Sequence, residues 1–360
     1  MKKNYYSLTK ILKENADYNI IIGERSNGKS YALLDKILKD FCKDGKEGVY
    51  LRRWKDDILG KRAQTLFSPL VENGKVDEYT HGEWETVIFA RGGWYLAKHD
   101  YEKQKFIANP NPLCRALALS DMEHDKSTSY PNVATIVFDE FLTRRYYLPD
   151  EFVIFMNVLS TVIRDRTDVK IFMLGNTVNK FCPYFSEMGL VNVETQLQGT
   201  IDVYNFASKL KIAVEYCGES KNKQESNKYF AFDNPRLNMI TNGAWELGIY
   251  RHLPLGYRIK PKSIVLTCCV EFSNKRISVD VISQDDTLFL YVHPKTTEPK
   301  EDEITYSQNF GISPYKRQSF MNNSDKIDNV FARLYSMHKI FYSSNDVGEI
   351  LHNFLINTSR

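Results

Sequence analysis

The residues Gly23-Glu24-Arg25-Ser26-Asn27-Gly28-Lys29-Ser30 follow the pattern G-x-x-x-x-G-K-S. Glycines at these positions let backbone N–H groups wrap a polyphosphate without Cβ clashes. In such a loop Lys29 supplies a point charge to the β- and γ-phosphates, and the Ser30 hydroxyl coordinates Mg²⁺. A helix opening at Lys29 adds its positive dipole end. In a chain of this length the pattern arises by chance about once in a hundred sequences. Here it also follows an apolar run and precedes a helical one, the context phosphate binding requires.

A second motif, Thr135-Ile136-Val137-Phe138-Asp139-Glu140, places two acids after four residues of strand character. Asp139 is expected to hold Mg²⁺, and Glu140 to orient and deprotonate an attacking water. A base beside the metal ligand favours hydrolysis over phosphotransfer to a small molecule. Leu174-Gly175-Asn176-Thr177 ends a third apolar run, and Asn176 at such a tip is placed to sense a γ-phosphate. The expected nucleotide-binding set is therefore Gly23, Arg25, Gly28, Lys29, Ser30 and Asn176. Arg164-Asp165-Arg166 follows the helix after the acids, where an arginine can stabilise transition-state charge in a neighbouring subunit. Arg52, Arg53 and Lys55 form a basic run at another strand end. The seven histidines fall in no metal or triad spacing and receive no role.

These residues need a scaffold of alternating strands and helices. Tyr18 to Gly23 reads as a strand, and Leu33, Leu34, Ile37, Leu38 and Phe41 recur at helical spacing. Val49 to Leu51, Arg115 to Ser120, Thr135 to Phe138 and Lys170 to Leu174 read as further strands, and Thr86 to Ala90 with Trp94 to Ala97 as a hairpin. Pro149 and Asp150 open a helix with apolar positions Phe152, Phe155, Met156, Leu159 and Ile163. Such alternation predicts an α/β fold with a mostly parallel sheet. Gly218 to Lys228 is polar and reads as a linker or exposed loop. Beyond it, Ser263 to Phe272, Arg276 to Ser283 and Thr287 to His293 are strand-like, with gaps short enough to force antiparallel pairing. Asn329 to Tyr335 and Val347 to Leu355 read as helices, making the last third an α+β domain. The expected division is an ATPase domain over 1–204, a linker over 205–235 and a second domain over 236–360.

With 360 residues the chain suits two domains. Lys plus Arg is 48 against 45 acids, a net charge of +3, so contact with nucleic acid is expected to be a local channel or patch. Six cysteines without a C-x-x-C pair predict neither a disulfide framework nor a zinc site, and a reducing compartment. No apolar run approaches a membrane span, which predicts a soluble, cytoplasmic protein.

The segments GERSNGKSYALL, VYLRRWKDD, SYPNVATIVFDEF, STVIRDRTDVKIFMLGNT and NKFCPYF, in this order and spacing, closely resemble the DNA encapsidation (genome-packaging) ATPases of small tailed phages with protein-primed DNA. The resemblance is specific over roughly Ile20 to Phe185. It implies a P-loop NTPase of the class with an extra catalytic glutamate, matched by Glu140. It further implies Mg-ATP hydrolysis and a homomeric ring, typically a pentamer, docked on the portal of an empty prohead and driving double-stranded DNA inward in the host cytoplasm. Some relatives use a packaging RNA. By resemblance the arginine finger matches Arg166 rather than Arg164, and a lysine acting on a neighbour's site matches Lys55. The last third resembles a vestigial nuclease domain with an RNase H-like strand order. A two-metal nuclease needs three or four converging acids, and Glu271, Asp280, Asp285 and Asp286 are the acids near these strands. The implied role is therefore holding DNA or portal, with Arg258, Lys260 and Lys262 as phosphate contacts.

The alternative is another nucleic-acid translocase, such as a hexameric helicase or a pilus-type motor. A GTPase is disfavoured because Asn179-Lys180-Phe181-Cys182 ends in Cys where a guanine-reading Asp is needed. A small-molecule kinase has no use for Glu140 or a second domain.

Overall fold

A computed structural model describes residues 6–124, 128–143, 146–177, 179–218, 245, 248–308, 310–322 and 325–358. The chain divides into two compact units, Met1–Glu246 and Leu247–Arg360.

The first unit is built on a ten-stranded sheet. Its strands are β1 (Tyr18–Gly23), β2 (Glu47–Arg52), β3 (Thr86–Ala90), β4 (Gly93–Asp100), β5 (Lys105–Ala108), β6 (Cys114–Ala118), β7 (Val133–Asp139), β8 (Lys170–Asn176), β9 (Ile201–Asn205) and β10 (Lys211–Tyr216). The order is β3-β4-β6-β2-β7-β8-β1-β10-β9, with β5 paired to β4. The six strands from β6 to β10 in that order run parallel, and β9, β4, β3 and β5 add antiparallel margins.

Both faces of the parallel strands are covered, which is why they read as unbroken apolar runs. Successive residues point to opposite faces. Ile20, Ile22, Leu51, Phe138 and Met173 enter one core; Ile21, Tyr50, Val137, Phe172 and Leu174 enter the other. The helices are α1 (Thr9–Lys13), α2 (Lys29–Asp44), α3 (Gly60–Thr65), α4 (Ser68–Glu72), α5 (Lys75–Thr80), α6 (Glu151–Ile163) and α7 (Pro183–Glu187). Helix α2 buries Leu33, Leu34, Ile37, Leu38 and Phe41, the stripe expected from its spacing, and Gly45 closes it in a left-handed cap. Helix α6 differs. Its buried stripe is Phe155, Val158, Leu159 and Val162, while Met156 is 38% exposed. The segment EFVIFMNVLSTVI is apolar nearly all round, so its period does not choose a face, and packing on the sheet does.

The expected division at 204/205 cuts a hairpin. Strands β9 and β10 pair with each other, and β10 pairs with β1, so residues 211–216 belong to the first sheet rather than to a linker. The run KIAVEY is short and lies close to polar segments, so it carries no distinct strand signal in the sequence. Of the polar segment 218–228, residues 219–228 lie outside the described residues.

The second unit has a six-stranded sheet: β11 (Ile264–Phe272), β12 (Lys275–Gln284), β13 (Thr287–Pro294), β14 (Thr305–Ser307), β15 (Lys316–Arg317) and β16 (Ile340–Tyr342), in the order β15-β14-β11-β12-β13-β16. The meander β11-β12-β13 is antiparallel, as its short gaps demanded. Both tight turns place two residues in the left-handed region, Ser273 with Asn274 and Asp285 with Asp286, which suits hairpin twist. Helices α8 (Lys326–Ser336) and α9 (Asn345–Thr358) follow. Asp325 caps α8 by accepting from the N–H groups of Ile327 and Asp328.

Candidate nucleotide-binding site

Because β1, β7 and β8 are parallel neighbours, their C-terminal ends meet at one edge of the sheet. Strand β8 lies between β1 and β7, which puts Asn176 between the glycine-rich loop and the acid pair. Gly28, at φ 94°, turns the chain from the loop into α2. Gly175 is required by close approach: a Cβ there would lie 2.6 Å from Leu142 Cδ1 and 2.9 Å from Phe141 Cε1. The loop after β7 can therefore fold against the tip of β8, fixed by Phe141 N–H donating to Leu174 O at 3.1 Å.

The Lys29 ammonium is buried and donates to neutral acceptors: Glu24 O at 2.7 Å, Gly23 O at 3.4 Å and Asn176 Oδ1 at 3.5 Å. Burial lowers its pKa, partly opposed by Cys217, Asp139 and Glu24. A cation so placed gains from an incoming polyanion. The Ser30 hydroxyl donates to Asp139 Oδ2 at 2.8 Å, and the same carboxylate oxygen accepts from Tyr50 OH. Burial, with Asp139 adding to it, raises the Tyr50 phenol well above its ordinary pKa, so it stays a donor. Asp139 Oδ1 accepts the N–H of Glu140 at 2.9 Å.

Glu140 leaves the strand at φ 58°, a left-handed conformation uncommon outside glycine, and its side chain is exposed. Arg52 Nη2 donates to Glu140 Oε2 at 2.6 Å and lies 3.6 Å from Asp57 Oδ2. An open cavity of about 670 Å³ is lined by Arg25, Gly28, Lys29, Ser30, Asp139, Glu140 and Asn176 among others. That volume suits a nucleotide-sized ligand.

Three expected site residues do not line this cavity: Gly23, which is buried at the end of β1, Lys55 and Arg166. Lys55 is exposed and pairs with Asp121 at 2.6 Å. Arg166 donates to the carbonyls of Val133, Pro131 (3.2 Å) and Val162 (2.9 Å) of its own chain. Arg164 Nη2 donates to Thr128 O at 3.2 Å. Sequence reasoning missed Tyr50 as a partner of Asp139, and it missed Glu151 altogether. The basic run did flag Arg52, whose partner Glu140 lies 88 residues further along the chain and carries no local signal.

The profile of the Podovirus DNA encapsidation protein (Gp16) family matches residues 1–228 of this chain of 360. The chain belongs to that family. As an encapsidation-family member it is 30% identical over 193 residues to the DNA packaging proteins of Bacillus phages PZA and phi29, covering 53% of this chain and 52% of theirs. To the DNA packaging protein of Bacillus phage B103 it is 31% identical over 176 residues, covering 48% of each. The chain thus spans about half the length of the curated relatives it matches. In fold it is similar to a chain of the bacteriophage phi-29 viral genome packaging motor assembly, with TM-score 0.58 and 20% identity over 99% of both chains. It is likewise similar to the Phi-28 gp11 DNA packaging motor, with TM-score 0.54 and 18% identity over 100% of this chain and 99% of that one. The matched span of the family profile contains every nucleotide-site residue named above.

Proposed function

We propose that this encapsidation-family chain is an ATP-driven motor that moves a viral double-stranded DNA genome into an empty prohead. The observation that carries the reading is the meeting of Lys29, Ser30, Asp139, Glu140 and Asn176 at one cavity. Ser30 and Asp139 present oxygens 2.8 Å apart, hard donors that fit Mg²⁺. When bound, Mg-ATP supplies the scissile phosphoanhydride and a cation that neutralises its charge. The loop 23–30 grips the phosphates, with Arg25 exposed at its rim. Lys29 moves from carbonyl acceptors to phosphate oxygens. Glu140 orients water and takes its proton once it leaves Arg52. Asn176, already within reach of Lys29, reads whether a γ-phosphate is present.

The ring, typically a pentamer, the portal contact and the possible packaging RNA rest on the family resemblance. So do the trans roles of Arg166 and Lys55. For Arg166 to act on a neighbour it must exchange its bonds to the carbonyls of Val133, Pro131 and Val162. In the second unit, five of the six strands follow the order β13-β12-β11-β14-β15, with β14 and β15 parallel to β11 and β16 added beside β13, which supports an RNase H-like reading. We assign that unit a holding role rather than strand cleavage. Glu271 is committed to Arg276, Asp280 to Thr267, Ser278 and His293, and Asp285 and Asp286 form a turn. Among the described residues no helix is long and apolar enough to cross a membrane.

The test is steady-state ATP hydrolysis titrated with linear duplex DNA, with Lys29→Ala as the blank. Stimulation by duplex without strand separation is expected. Strand separation moves the assignment to a helicase, and no hydrolysis with DNA and proheads present overturns it.

A further inference from the structure

Arg52 is the last residue of β2 and Arg53 follows it directly. Both reach Glu140, by different routes. Arg52 bonds its carboxylate; Arg53 bonds its backbone. Arg53 is 5% exposed, and its Nη1 donates to Glu140 O at 3.3 Å and Nη2 to Phe141 O at 2.6 Å. Its Nε and Nη2 also donate to the two carboxylate oxygens of Glu151, at 2.7 and 2.9 Å. Glu151 is 3% exposed and accepts in addition from Tyr184 OH at 2.9 Å and Leu148 N–H at 2.7 Å. The Tyr147 ring lies under the guanidinium, 4.9 Å away.

We propose that Arg53, held by Glu151 and Tyr184, is a positioning residue that fixes the backbone of Glu140 in the conformation from which it serves the attacking water. The inference rests on the reading of Glu140 as the hydrolytic base. Glu140 sits at φ 58°, and such a conformation persists only where surrounding bonds determine it. The two N–H groups at this corner are fixed by Asp139 Oδ1 and Leu174 O. Its two carbonyls are fixed by Arg53. A buried ion pair is a poor source of stability, since apolar packing of the same volume often serves as well. What an apolar residue cannot do is bind two successive carbonyls with a forked, planar donor. Glu151 also opens α6, so the corner carrying the base is bonded to the start of the helix that leads to Arg164 and Arg166.

The experiment compares wild type, Arg53→Met, Arg53→Lys, Glu151→Gln and Tyr184→Phe in the full chain with duplex DNA. Binding of a fluorescent ATP analogue, turnover and thermal unfolding are read for each. Positioning predicts turnover lowered about 10- to 100-fold in Arg53→Met at unchanged nucleotide affinity, with partial rescue in Arg53→Lys. If Arg53→Met does not fold, Tyr184→Phe reads the same effect as a loss of about threefold in turnover alone. Lower melting temperatures with turnover per folded molecule equal to wild type overturn the clamp alone. Wild type without ATP turnover above the Lys29→Ala blank sinks the hydrolytic reading and the clamp with it.

Discussion

At the scale of single residues, two charged groups at one cavity have separable roles. Lys29 is buried beside neutral acceptors, and on the proposed reading it meets phosphate; Glu140 is exposed at a left-handed corner. Glu140→Gln is therefore expected to bind a fluorescent ATP analogue as wild type does, while phosphate release falls about 10²- to 10⁴-fold. Lys29→Ala is expected to lose binding and turnover together. Equal losses of affinity in both variants would remove the base assignment from Glu140. The types and spacing of these residues were legible without coordinates, because the loop and the acid pair are each contiguous. Arg52 stood out in the basic run, but its pairing with Glu140 did not, nor did the partners Tyr50 and Glu151, because each contact joins elements distant in sequence.

At the scale of elements, the tip of β8 and the corner after β7 fit together only because residue 175 lacks a side chain. Gly175→Ala places a methyl against Leu142 and Phe141 at under 3 Å. The expected cost is about 1–3 kcal/mol of stability, read as a lower denaturation midpoint, together with a drop in turnover as the Glu140 corner shifts. Full turnover with a lowered midpoint would show that the corner absorbs the methyl without moving the base. In the second sheet, His293 faces Asp280 Oδ2 at 3.0 Å, and Asp280 also accepts from Thr267 and Ser278. The hydrogen bond to Asp280 raises the histidine pKa, against an opposing effect of burial and of Lys295. A raised folded-state pKa gives stability that is complete below the unfolded value of about 6.5 and is lost as pH rises through the folded value. The melting temperature of wild type is thus expected to decline between about pH 6 and pH 8 more steeply than that of His293→Gln. Parallel curves would mean that the pair carries no net charge coupling. The central strands of both sheets were readable from short apolar runs and tight gaps; β5, β9, β10, β14, β15 and β16 were not, and neither was the buried face of α6.

At the scale of the whole molecule, the open question is whether one chain completes its own site. Lys55 and Arg166 lie outside the cavity and are occupied within their own chain, by Asp121 and by backbone carbonyls. If Arg166 serves a neighbour, mixing inactive Glu140→Gln and Arg166→Ala chains regenerates complete sites at about a quarter of ring interfaces, with a matching recovery of hydrolysis. No recovery, with Arg166→Ala melting well below wild type, would make Arg166 a brace between α6 and β7. The division into units also belongs to this scale. The boundary fell later than composition suggested because β10 finishes the first sheet against β1.

The linear order of residues by itself determined the glycine-rich loop, the acid pair, the alternation that makes a parallel sheet and the meander that follows, since each depends on neighbours within a few positions. Strand order, the inward face of a mostly apolar helix and the Arg52–Glu140 ion pair were decided only by tertiary structure. These depend on which segments bury surface against one another, and contacts between residues scores of positions apart leave no periodic trace in the chain.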